Sequence, residues 1–145
     1  MTPDQVTLIR RSWQSIEPRR DAIAAAFYAR LFELDPHARA LFAHVDLEAQ
    51  GVKFMSTFEA LLRVLDDPFR LVSDAIPSGR RHAGYGVQPR DYATAGQAFI
   101  AALADHLGDE FTAEVREAWR ELYLLVAAVM QRAGRGSAAV AAAAE

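Results

Sequence analysis

The chain has 145 residues, of which 52% are apolar and 24% charged. That fits one globular domain with a real core and excludes a disordered chain. Nineteen acids against 16 bases leave a net charge of −3 and a pI near 5.8, which argues against a dedicated nucleic-acid binder. The absence of cysteine removes disulfide scaffolds, zinc–thiolate sites, iron–sulfur clusters and cysteine nucleophiles. The start, Met1-Thr2-Pro3-Asp4-Gln5, is polar, with no apolar core of a secretory signal. No apolar run approaches the ~20 residues a spanning helix needs, so no membrane role and a cytoplasmic location are expected.

The periodicity is helical almost throughout, and 29 alanines favour that state. Thr2-Pro3-Asp4-Gln5 has the form of a capping box and opens a helix expected over about 3–15, with Val6, Ile9 and Trp13 inward. Pro18 separates it from a helix over about 19–34, where Ile23, Phe27, Leu31 and Leu34 share one face and Tyr28 lies beside it. Asp35-Pro36 starts a short helix ending near Phe42. Asp46 caps a helix over about 47–65, with Gln50, Phe54 and Phe58 on one face. Asp67-Pro68 starts the next segment, and Pro77 predicts its division into pieces over about 69–75 and 78–83. Gly84 and Gly86 end the second piece. Gln88-Pro89 opens a long helix over about 90–106, bearing Tyr92, Gly96 and Phe99. Thr112 caps the last helix, over about 113–132, with Trp119, Leu122 and Tyr123 inward. The reading is one all-α domain of seven or eight helices over residues 1–133, followed by a low-complexity tail, 134–145, expected as frayed or extended helix or as disordered chain.

The common catalytic motifs are missing: no phosphate-binding G-x-x-x-x-G-K-[ST], no dinucleotide G-x-G-x-x-G after a strand, no H-E-x-x-H, no G-x-S-x-G. His37, His44, His82 and His106 stand too far apart in sequence for a local metal clip. His82, after Arg80-Arg81 at the end of a helical segment, has two readings. One is a histidine favoured by the helix dipole. The other is the single axial ligand of a haem. Phe42, Phe54 and Phe58 suit the core of any helical protein, and Lys53 and Arg81 suit a solvated face.

Seven segments in one consistent order decide the matter further. They are Phe27-Tyr28-x-Arg-Leu-Phe32, Asp35-Pro36-x-x-Arg39-x-Leu41-Phe42, Gln50-x-x-Lys53-Phe54-Met55, Arg81-His82-x-x-Tyr85-Gly86-Val87, Tyr92-x-x-x-Gly96, Leu107-Gly108-x-x-Phe111-Thr112 and Ala118-Trp119-x-x-x-Tyr123. Together they resemble the globins, above all the globin domains of bacterial haemoglobins and flavohaemoglobins, and neuroglobin-like sequences. The resemblance covers about residues 2–132 and implies a globin fold enclosing one haem b, with 1–133 as the globin domain. It implies His82 as the proximal iron ligand, with its second nitrogen donating to a backbone carbonyl or to a neighbour such as Tyr92. It implies Phe42 packed on the porphyrin, Val87 against the haem plane, and Lys53 and Arg81 near its anionic edge. Tyr28 and Gln50 match the distal, oxygen-facing positions, with Phe54 one turn further along the same side.

The implied function is binding of O₂, and of other diatomic gases such as CO and NO, for storage, delivery or scavenging. The alternatives are nitric oxide dioxygenation with a separate reductase, and a regulatory globin-fold domain without haem. Flavohaemoglobins continue into a reductase domain, so a chain of 145 residues is expected to lack that activity itself. Their proximal glutamate falls near Gly134 here, which leaves the histidine–tyrosine–glutamate set incomplete. Gln50 rather than histidine at the distal position argues against a second histidine ligand.

Overall fold

The computed structural model describes residues 1–144, with side chains described through residue 136. Six α-helices are present: α1 (Pro3–Ile16), α2 (Arg20–Leu34), α3 (Leu47–Leu62), α4 (Pro68–Gly84), α5 (Pro89–Leu107) and α6 (Ala113–Ala144). Short 3-10 turns cover Glu17–Arg19, Pro36–Phe42 and Gly108–Glu110, and no strand occurs among the described residues. The caps are those the sequence announces. Thr2 Oγ1 accepts from Gln5 N while Gln5 Oε1 accepts from Thr2 N, at 3.2 and 2.9 Å. Asp35, Asp46, Asp67 and Thr112 each accept a backbone N–H at the start of the element that follows. These bonds satisfy amides that have no partner inside the helix.

Three expectations need correction. Pro77 does not divide the helix: α4 runs unbroken through it. Proline deletes the bond its N–H would make to the carbonyl of Ser73. Both residues are on the exposed side, where water can serve that carbonyl, while Leu71, Ala75 and Gly79 hold the inner side. The merger turns the eight expected helical segments into seven, the six α-helices and the Pro36–Phe42 turn, with the two three-residue 3-10 turns in addition among the described residues. Leu34, assigned to the inner face of α2, is 50% exposed at the end of that helix. The last helix passes its expected end at Arg132 and reaches Ala144, and Gly134 is buried within it. The tail call for residue 145, and for side chains from 137 onward, lies outside the described residues.

The core is aromatic. Phe99 and Trp119 are fully buried along with Ile9, Ile16, Ile23, Leu103 and Leu122. Phe58 stacks on Phe99 at 4.6 Å between centroids, Phe27 on Phe54 at 4.4 Å, and Trp119 meets both Phe58 and Phe99 edge-on. The Trp119 indole N–H donates to Ser12 Oγ at 2.8 Å, so its burial strands no donor. Packing follows two arms. α2 lies on α5 and carries α3, and α6 lies on α1 and α5 and carries α4. α3 and α4 follow each other in sequence but share no substantial packing.

Candidate functional site

His82 lies in the last turn of α4 and is half-buried. Its Nδ1 is 2.7 Å from the carbonyl oxygen of Ser78, one turn back. A carbonyl only accepts, so in the neutral ring Nδ1 carries the proton and Nε2 presents its lone pair. That is the form of imidazole that binds a metal, oriented by the bond at the other nitrogen. Of the two partners foreseen for the ring, the structure provides the backbone carbonyl, and Tyr92 stands by with its ring centroid 6.3 Å from that of His82.

The turn after α4 fixes the rest of this side. Gly86 takes φ +88°, which lets the chain reverse, and Val87 N then donates to His82 O at 3.1 Å. Val87 is thereby held next to the histidine, half-buried. Tyr92 is buried in the first turn of α5, and its carbonyl accepts from the Tyr123 hydroxyl at 2.5 Å. Gly96 makes room for that tyrosine: a methyl group there would lie 2.6 Å from Tyr123 Cε1. Burial pushes the Tyr92 hydroxyl above its ordinary range, and burial together with Tyr92 does the same to Tyr123.

The second group gathers on α2 and α3. Tyr28 is 5% exposed and lies among Phe27, Phe32, Phe42 and Phe54, with ring centroids 5.0, 6.3, 5.4 and 6.3 Å away. Gly51 brings α3 onto α2, since a methyl group there would already sit 3.1 Å from Ala24 Cβ. The neighbouring Gln50 is thus beside Tyr28. Burial raises the Tyr28 hydroxyl to about 12, and the nearby polar Gln50 side chain works against that rise. Tyr28 therefore remains protonated, a hydrogen-bond donor, across the physiological range. Phe42 and Phe54 are half-buried beside it. Lys53 and Arg81 are exposed and in no ion pair among the described residues.

So the structure brings Tyr28, Gln50, Phe42 and Phe54 together on α2, α3 and the turn between them, and separately His82, Val87 and Tyr92 at the end of α4 and the start of α5. Two cavities, of about 530 and 420 Å³, flank the first group. Phe32, Arg39 and Leu47 line both, Phe42 the larger and Tyr28 the smaller; neither is lined by His82. Sequence reasoning missed Ser78, whose carbonyl orients His82; its position one helical turn before the histidine was the available signal. It also placed Tyr123 only in the core, without its bond to Tyr92. Among the described residues no three His, Cys, Asp or Glu side chains cluster as a metal cage, and no helix is long and apolar enough to cross a membrane.

A globin family profile matches residues 25–130. The chain is 31% identical over 138 residues to a neuroglobin of Tetraodon nigroviridis, covering 86% of this chain and 87% of that protein. It is 32% identical over 133 residues to a flavohemoprotein of Xylella fastidiosa, covering 90% of this chain and 33% of that longer protein. Among solved structures, a hexacoordinated heme protein from an anhydrobiotic tardigrade superposes with a TM-score of 0.83 at 15% identity, over 93% of this chain and 96% of that one. That superposition shows a shared fold.

Proposed function

The chain belongs to the globin family, and from that premise we propose that it holds a haem b through His82 and binds O₂ and other diatomic gases for storage, delivery or scavenging. The observation behind the proposal is the half-buried imidazole of His82, tied at Nδ1 to the Ser78 carbonyl so that Nε2 is the nitrogen left to ligate. The residues fit the group. One neutral imidazole suits an axial ligand, Phe42, Phe54 and Val87 offer half-buried apolar surface to a porphyrin, and Lys53 and Arg81 offer free cations to its propionates. The chain has no cysteine for thioether attachment, which supports reading the haem as a non-covalent one of the b type.

Such a haem would supply an iron able to bind a diatomic gas. The protein's own part is to orient, donate and exclude water. Ser78 holds the His82 ring in one tautomer. On the other side, the Tyr28 hydroxyl and the Gln50 amide donate hydrogen bonds toward the gas, and the aromatic cluster keeps water away. A bond to a charged acceptor in such surroundings stabilises by about 1.5–3 kcal/mol. That is about a tenfold to hundredfold slower release of the gas per bond.

The similarity to a flavohemoprotein favours a second reading, nitric oxide dioxygenation at the same residues with electrons from a separate reductase. Sustained nitric oxide consumption with an added reductase and its reductant distinguishes it from simple gas binding. The haem assignment itself is tested by titrating hemin into apoprotein. The wild type is expected to saturate at one equivalent and His82→Ala to bind weakly or not at all. Equal uptake by both removes His82 as the ligand.

A further inference from the structure

α4 and α6 meet backbone to backbone on the proximal side. A methyl group on Gly79 would lie 2.3 Å from the carbonyl oxygen of Met130 and 2.5 Å from its Cα. One on Gly134 would lie 3.0 Å from Ala83 Cβ and 3.3 Å from the Gly79 carbonyl oxygen. Gly79 and Ala83 are one turn apart on α4, as Met130 and Gly134 are on α6, so the crossing has two rungs. His82 lies between the α4 rungs in sequence, and its ring is bonded to Ser78 on the same helix. Among the described residues α6 is the helix on which α4 chiefly packs. Where this crossing sits therefore decides where α4, and His82 with it, sits.

We infer that Gly79 and Gly134 are positioning residues for His82, holding α4 at the depth from which the imidazole reaches an axial metal position. The inference rests on the haem reading above. Ordinary contact begins at 3.4 Å, so a methyl group on Gly79 is short of room by about 1 Å, against backbone atoms that no side-chain change can move. Metal–ligand distances tolerate only about 0.2 Å, so a rigid helix displaced by that much cannot leave the ligand where it was. At 134 the fit is tight but less severe: an added methyl group would press on Ala83 Cβ at 3.0 Å and on the Gly79 carbonyl oxygen at 3.3 Å.

The test uses Gly79→Ala, Gly134→Ala and the double variant Gly134→Ala/Ala83→Gly, each loaded with hemin. The readouts are the rate of haem loss to an apomyoglobin acceptor and the iron–histidine stretching frequency of the reduced protein by resonance Raman. Gly79→Ala is expected to lose haem at least about tenfold faster, the scale on which supporting residues change metal affinity, and to shift the stretching frequency. Gly134→Ala is expected to shift it less, and Ala83→Gly to reverse that smaller shift by removing the methyl group in the way. Wild-type haem loss and frequency in Gly79→Ala overturn the inference. Should Gly79→Ala not fold, failure of Ala83→Gly to reverse the Gly134→Ala shift overturns it equally. A wild type that takes up no hemin at all overturns the haem reading first, and is told apart by the unsubstituted protein alone.

Discussion

Tyr28 joins the two properties a gas-binding site needs, a buried setting and one polar atom. Four phenylalanine rings surround it, and the polar Gln50 side chain of α3 is near its hydroxyl. Tyr28→Phe removes the hydroxyl and keeps the ring, so O₂ dissociation measured by stopped flow is expected to quicken about tenfold to a hundredfold. An unchanged rate would remove Tyr28 from the role, and Gln50→Leu tests the second donor in the same way. The buried hydroxyl also couples stability to alkaline pH. Its folded value, about 12, lies above the ordinary 10.0, so the unfolded chain gives up that proton first. The stability this tyrosine contributes is whole below about pH 10 and is lost as pH rises through the folded value. Tyr92 and Tyr123 shift in the same direction. Denaturant melts of the apoprotein from pH 8 upward should therefore show stability falling above about pH 10, less steeply in Tyr28→Phe.

The helices stand on the contacts of a few rings. Phe99, on α5, meets Phe27, Phe54, Phe58, Trp119 and Tyr123 and is 1% exposed. Phe99→Ala is expected to lower apoprotein stability by about 3–5 kcal/mol, read as a shift of the urea midpoint at unchanged slope; a loss under about 1 kcal/mol would mean the cluster collapses into the space. The starts of these helices were legible because caps are local: Thr2 with Gln5, Asp46 and Asp67 are bonded as their spacing implied. Pro77 was misread because its cost depends on which side of α4 it faces, and that is set by α6 rather than by any neighbour in sequence. Leu34 fits the stripe of α2 but falls past the last element that would cover it. The glycines of the α4–α6 crossing were invisible for the same reason, since the need for a hydrogen atom at Gly79 comes from Met130, 51 positions away.

At the scale of the whole molecule, two helical arms carry the two halves of the site. The arm of α2 and α3 gathers Tyr28, Gln50, Phe42 and Phe54, and the arm of α6 and α4 presents His82. The seven ordered sequence segments foretold this fold, which is that of the globin family. The pairing of His82 with Ser78 and the glycine crossing needed the assembled helices. The measurement that bears most directly on the account is the visible absorption spectrum of the purified protein, oxidised, reduced, and reduced under carbon monoxide. A Soret band that shifts on reduction to a five-coordinate form, and shifts again with carbon monoxide, is the predicted result, because the proposal gives the iron one imidazole, from His82, and none from Gln50. No Soret band even after added hemin would contradict the account and leave a globin fold used without haem.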